Sequence, residues 1–533
     1  MKGDVLAKPS CTNSNTSSSK STSDDYQMAR YIIPSVTISA IYGVYKSYWP
    51  DQNDKKIILS VEDAVRLLNI NTNTSEALRF IQHTESKEFL KTLSPAAVAL
   101  LARSGSELCL KIPIKSCVDQ KIDVTEALSK FNLGDKWNSS IEWINRVACP
   151  EEDLSCSDEW LVRLPSQVER LRRMLQLLFL TTEKSFDVSA IDVDVIPFLF
   201  NVYAEFYQSN VDIAVLAIKI LSNIVGTDEK YAKSMLDSEW LPLISMMVTN
   251  GKSLMERLLS HKVCQNALSS LKSINYRLPS DIYEIYLSDE EPELDIVLIH
   301  GLRGSVAYTW RQKDSDENIL SSCWPKDWLP LDIKRPFRII GLEYPSYIFH
   351  FTGTQQSLQT RSERFKEQLE IAGIGSRPVL FICHSMGGLL AKKLLVDCPK
   401  LIQNTVGVLF IATPHKGSPV ANWGYSVFQP TEDVVMLNEN NAMNRKLNDD
   451  FSAVSKNIPV IVSMVETIES NIIANTKSIV VPNKSAVFEQ GAVYHIADVH
   501  LNLCKPSRDS ASYGVIINFL LDCFRESEKR RKV

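Results

Sequence analysis

Phe381-Ile382-Cys383-His384-Ser385-Met386-Gly387-Gly388 decides the fold. An apolar run, Pro378 to Ile382, leads into it and reads as a buried strand. Leu389-Leu390-Ala391-Lys392-Lys393-Leu394-Leu395 follows and reads as a helix with one apolar face. A serine on a tight strand-to-helix turn is a nucleophile elbow. The turn pushes the hydroxyl out of the sheet and leaves the next N–H free at a helix N-terminus, where it can stabilise an oxyanion. The crowded positions lie two residues before and two after the serine. Gly387 suits its place, whereas Cys383 is larger than the usual glycine. The alternative is a plain strand followed by a helix that Ser385 caps.

The elbow implies an α/β-hydrolase, in which nucleophile, acid and histidine follow one another along the chain. His415, His495 and His500 are the histidines after Ser385. His415 comes too early, directly after the strand Val406 to Ile411. His495 lies inside Ala492–Ile496, which reads as the last strand, and is expected to be packed. His500 lies beyond that strand, in a loop from which a general base can reach the serine, and is preferred. The acid belongs at the carboxyl end of the preceding strand. Ile458 to Val465 is a β-branched run, and Glu466 is the first carboxylate after it, with Glu469 as the second choice. Its task is to orient the imidazole and stabilise the imidazolium.

A second oxyanion donor is expected from an earlier strand end. Leu294 to Ile299 is apolar and runs into His300-Gly301-Leu302-Arg303-Gly304. Glycine lets the backbone approach a reacting carbonyl. The expected donors are the N–H groups of Leu302 and Met386, and His300 is expected to shape the loop by a hydrogen bond.

The 533 residues suffice for two or three domains. A hydrophobic content of 44% and a charged content of 23% are those of a globular protein, and a net charge of −5 argues against nucleic-acid binding. The 11 cysteines are scattered without a C-x-x-C pair, so no zinc or redox motif shows, and several sit in apolar runs and read as buried thiols of a reducing compartment.

Residues 1–27 are rich in Ser, Thr and Asn and are expected to be disordered. Residues 28–50 hold an uncharged stretch, Tyr31 to Tyr45, with tyrosines toward both ends, and form a candidate membrane segment. Residues 51–280 read as helical. Asp212 to Ile224, Lys230 to Met235 and Trp240 to Ile244 suggest an armadillo-like region able to dock a protein partner or a membrane. The hydrolase domain is expected over 290–525 and a basic tail over 526–533. Asn422 to Arg445, with Trp423, Tyr425 and Phe428, is the expected substrate-gating loop.

Further motifs occur in order: Cys323-Trp324-Pro325-Lys326-Asp327-Trp328-Leu329-Pro330, Arg338-Ile339-Ile340-Gly341, Ala412-Thr413-Pro414-His415-Lys416-Gly417-Ser418 and His500-Leu501-Asn502-Leu503-Cys504-Lys505-Pro506. With the elbow and the His-Gly loop, they resemble the serine active-site-containing protein family from about Pro292 onward. The resemblance implies a lipase-like hydrolase domain acting on a lipid ester without metal or organic cofactor. It also implies phosphatidylglycerol remodelling, intracellular cholesterol handling and a place at contacts between mitochondria and endoplasmic reticulum. By the family pattern Ser385 and His500 are catalytic, and Glu466 follows less directly. The competing expectation is an inactive scaffold at membrane contacts that binds partners through its helical region.

Overall fold

The computed structural model describes residues 61–69, 74–82, 88–112, 167–183, 191–312, 322–346, 357–419, 431–439, 441–471 and 477–531. The strands are β1 (Ile282–Leu287), β2 (Leu294–Ile299), β3 (Phe337–Leu342), β4 (Val379–His384), β5 (Thr405–Ile411), β6 (Val460–Glu466), β7 (Ser470–Asn471), β8 (Lys477–Ser478) and β9 (Ala492–Ile496). Seven form one sheet in the order β1-β3-β2-β4-β5-β6-β9, and β7 and β8 form a small separate ribbon. β1 runs antiparallel to β3; every other pair in the large sheet is parallel. β2 to β5 are buried along their whole length, which explains their near-continuous apolar sequences. The charged exception inside is a matched pair. Asp295 and Arg338 are register partners on β2 and β3, and the guanidinium binds both carboxylate oxygens, at 2.7 and 3.1 Å.

Nine α-helices precede the sheet among the described residues: α1 (Val61–Asn69), α2 (Thr74–Gln82), α3 (Pro95–Arg103), α4 (Gln167–Glu183), α5 (Val195–Phe206), α6 (Val211–Val225), α7 (Glu229–Leu236), α8 (Trp240–Asn250) and α9 (Leu254–Ser270). Flanking the strands are α10 (Trp324–Asp327), α11 (Leu329–Ile333), α12 (Leu358–Ile371), α13 (Gly387–Asp397), α14 (Pro399–Asn404), α15 (Glu432–Met436), α16 (Ala442–Val454), α17 (Asn483–Ala486) and α18 (Ala511–Arg531).

Successive strand residues point to opposite faces of the sheet. Ile296 and Leu298 enter a cluster with Ile516, Phe519 and Phe524 of α18. Val297 and Ile299 enter another with Phe365 of α12 and Leu390 and Leu394 of α13. The α18 cluster also takes in the cores of α1 to α9, so the helical layer and the sheet share apolar contacts. From Leu59 onward the chain is one compact unit.

Several boundaries differ from the sequence reading. The sheet starts at Ile282, ahead of the expected 290, because β1 carries Glu284 inward and its apolar run is therefore broken. The expected basic tail is the last part of α18. Arg530 binds the carbonyls of Gln403 and Asn457, and Arg531 that of Glu293. The expected gating loop is partly helical, since it contains α15 and the start of α16. Trp423, Tyr425 and Phe428 lie outside the described residues, as do residues 1–27 and the candidate membrane segment 28–50. No helix among the described residues is long and apolar enough to cross a membrane.

Candidate active site

β4 delivers Ser385 into a left-handed turn with φ 53°. Such a backbone is costly for a residue with a Cβ and needs fixed surroundings. The Ser385 N–H donates to the Ile411 carbonyl at 2.8 Å, and its own carbonyl accepts from Gly388 N–H at 3.0 Å. The two glycines after it have no room for side chains. A Cβ on Gly387 would lie 2.4 Å from the carbonyl oxygens of Ile299 and His300, and one on Gly388 would lie 2.1 Å from Thr413 Oγ1. Cys383 keeps its place by turning its side chain into the core. Burial pushes its thiol far above the ordinary range, so it stays protonated and is no rival nucleophile.

The His300-Gly301-Leu302 loop lies against the elbow. A Cβ on Gly301 would stand 2.7 Å from Ser385 Cβ and 3.0 Å from the His384 carbonyl oxygen. The N–H groups of Leu302 and Met386 donate to no protein group among the described residues. His300 Nδ1–H donates to the Gly301 carbonyl at 2.9 Å. Burial pushes its pKa down to about 4, so the ring is neutral.

The expected base and its carboxylate come from the ends of β9 and β6. His500 is buried beyond β9, and its Nδ1 meets Glu466 Oε2 at 3.0 Å. Glu466 is the last residue of β6, one place inside the strand and not beyond it. It is buried, and its other oxygen accepts the Val481 N–H. Glu469 is exposed three residues further on. His384 Nε2–H donates to the His500 carbonyl at 3.2 Å, and the two rings are 4.9 Å apart. That contact ties the His500 loop to the residue before Ser385. Burial first, then the neighbouring His500, holds His384 well below the usual imidazole range, so it is a neutral donor. The His500 N–H donates to Ser470 Oγ at 3.3 Å.

His495 is exposed on the outer strand β9, not packed as expected, because β9 pairs with β6 alone. His415 is buried with its ring edge-on to Phe410 at 4.8 Å. Sequence reasoning assigned nothing to His384, Tyr344 or Ser346. Tyr344 OH donates to the His300 carbonyl, and Ser346 Oγ donates to that of Gly301 at 3.1 Å. Both work through main-chain carbonyls, which carry no sequence signature.

A hydroxyl on a strained turn, an imidazole bonded to a buried carboxylate and two N–H groups that donate to no protein group among the described residues are parts that acyl transfer uses. Sheet order and elbow define the class: the chain carries an α/β-hydrolase fold. Residues 364–491 match the PGAP1-like alpha/beta domain.

More particularly, the chain is similar to Protein SERAC1. It is 30% identical to that of Danio rerio over 335 residues, which is 57% of this chain and 50% of the relative. It is 32% identical to that of Homo sapiens over 324 residues, 55% of this chain and 48% of the relative. The chain thus spans about half the length of the curated relatives it matches. Solved structures similar to it include Bacillus licheniformis lipase BlEst2 in mature form, with 17% identity, 45% of this chain and 97% of that chain covered, and a TM-score of 0.32. Phospholipase PlaB from Legionella pneumophila matches at 13% identity over 45% of this chain and 63% of that chain, with a TM-score of 0.33.

Proposed function

We propose that the chain is a serine acyl hydrolase or acyltransferase of lipid esters. Ser385 attacks the ester carbonyl while His500 takes its proton, and Glu466 holds His500 in the tautomer that presents Nε2 to the serine. The N–H groups of Leu302 and Met386 receive the oxyanion. His500 then protonates the leaving alcohol. Water releases the acyl group, or a lysolipid accepts it; both use the same four-part site.

The observation that carries this reading is the 3.0 Å contact between His500 Nδ1 and Glu466, in a chain whose Ser385 sits on a strand-to-helix turn with φ 53°. The resemblance to the serine active-site-containing proteins supports the finer assignment. On it the substrate is a phospholipid such as phosphatidylglycerol, the wider consequence is intracellular cholesterol handling, and the place of action is a membrane at mitochondrion and endoplasmic reticulum contacts. The armadillo-like reading of the helical region supports a protein partner there.

Covalent labelling by a fluorophosphonate tests the chemistry. The intact chain is expected to label, and Ser385→Ala and His500→Ala are expected not to. A folded, membrane-reconstituted intact chain that does not label overturns the proposal in favour of a scaffold. Phosphatidylglycerol vesicles carrying a labelled acyl chain then separate free fatty acid from acyl transfer to added lysolipid.

A further inference from the structure

We propose that Ser346, assisted by Tyr344, is a positioning residue for the oxyanion loop; this rests on the reading of Leu302 N–H as an oxyanion donor. A peptide unit is planar and trans, so its C=O and the following N–H point in opposite directions. Fixing the Gly301 carbonyl therefore aims the Leu302 N–H. Three donors fix it: Ser346 Oγ at 3.1 Å, Gly304 N–H at 3.0 Å and His300 Nδ1 at 2.9 Å. Two of these belong to the loop itself and move with it. Ser346 does not. It follows β3, is 4% exposed, and its own carbonyl accepts Arg303 N–H at 2.8 Å, which grips the loop a second time. Arg303 has φ 55°, a conformation that needs such support.

Tyr344 fixes the preceding peptide unit. Its hydroxyl donates to the His300 carbonyl, and its ring stacks on the imidazole, with centroids 4.2 Å apart and planes 11° off parallel. The Arg361 guanidinium lies 4.7 Å from the Tyr344 ring centroid. Asp433 of α15 holds Arg361 through both nitrogens, at 3.0 and 3.1 Å, and all of these groups are buried. Tyr344-Pro345-Ser346 is thus a rigid template on which the His300-Gly301-Leu302 backbone is laid.

The test uses the full chain, a soluble monomeric ester, a fluorophosphonate and a trifluoromethyl ketone, which forms a hemiketal oxyanion on the serine. Ser346→Ala removes one grip, and Tyr344→Phe removes a hydroxyl while keeping the stack. Each is expected to lower kcat roughly ten- to a hundred-fold, with KM within about two-fold. The ketone's inhibition constant should rise by the factor by which kcat/KM falls, since both report oxyanion binding. A purely structural role would leave that proportionality absent. If both folded variants keep the kcat of the intact chain, or if KM alone rises, the positioning role is wrong. An intact chain that neither labels nor turns over ester removes the underlying reading instead. Should Ser346→Ala not fold, Tyr344→Phe decides alone.

Discussion

Ser385 stays at φ 53° because its neighbours leave it nowhere to relax. The Ile299 and His300 carbonyls block one side through Gly387, Thr413 blocks another through Gly388, and Gly301 closes on Ser385 itself. Each contact requires a glycine, and each glycine stood in a motif that the sequence displayed. The carboxylate was legible for a different reason: a β-branched run ends where an acid begins, and strand ends are where this fold puts its acid. Geometry separates the two carboxylates that sequence left open. Glu466 is buried on His500, and Glu469 faces solvent. Glu466→Gln keeps the shape and removes the charge that stabilises the imidazolium. It is expected to lower kcat by about three to four orders of magnitude. Glu469→Gln should change kcat by less than about two-fold, because an exposed charge is screened. Steady-state kinetics on a soluble ester decides it; equal losses would mean that Glu469 takes over in turnover. His384, Tyr344 and Ser346 were not legible. They act on carbonyl oxygens, and any polar residue at the right place would read the same in sequence.

At the scale of elements, strand ends meet the oxyanion loop through a carboxylate. Glu343 follows β3 and its Oε2 accepts the Val306 N–H at 2.8 Å, just beyond the His-Gly loop. Burial raises its pKa from 4.5 to about 7 against the lowering effect of that N–H. The folded chain therefore binds this proton more tightly than the unfolded one. Its stabilising contribution is complete below about pH 4.5 and is lost as pH rises through 7. Glu343→Gln keeps an oxygen for Val306 and cannot ionise. Urea unfolding should find the variant more stable than the parent at pH 8, by up to about 3 kcal/mol, and the two alike near pH 4.5. A parent that is the more stable at pH 8 would show that the carboxylate is favourably charged in the fold. The same part of the molecule shows why β1 was missed. A strand recognised by its apolar run cannot hold Glu284, and that residue is buried because Tyr276 OH donates to it at 2.7 Å. β2 and β4, each apolar but for one residue, Asp295 and His384, were readable from composition alone.

At the scale of the whole molecule, the helical region and the sheet looked separable in sequence, and the structure joins them. The joint is partly apolar, through the cluster that α1 to α9 share with α18, and partly polar. Asn266 of α9 donates to the carbonyls of Ser222 and Leu278, both at 2.9 Å, and accepts the Leu278 N–H at 2.7 Å. Lys262 Nζ donates to the Ser280 carbonyl at 2.8 Å, and Arg364 of α12 pairs with Glu183 and Asp281. None of these partners is near in sequence except Leu278 and Ser280, so periodicity gave no hint of the joint. A shared core makes unfolding cooperative across it. Calorimetry of the full chain is expected to show helical layer and sheet melting in a single transition. Asn266→Ala strands the Leu278 N–H and carbonyl in a buried site and should cost about 2–4 kcal/mol. Because the joint is shared, that loss should move the whole transition down by several degrees without splitting it. Two resolved transitions, with only one moved by Asn266→Ala, would mean that the helical layer holds its own core and only rests on the hydrolase.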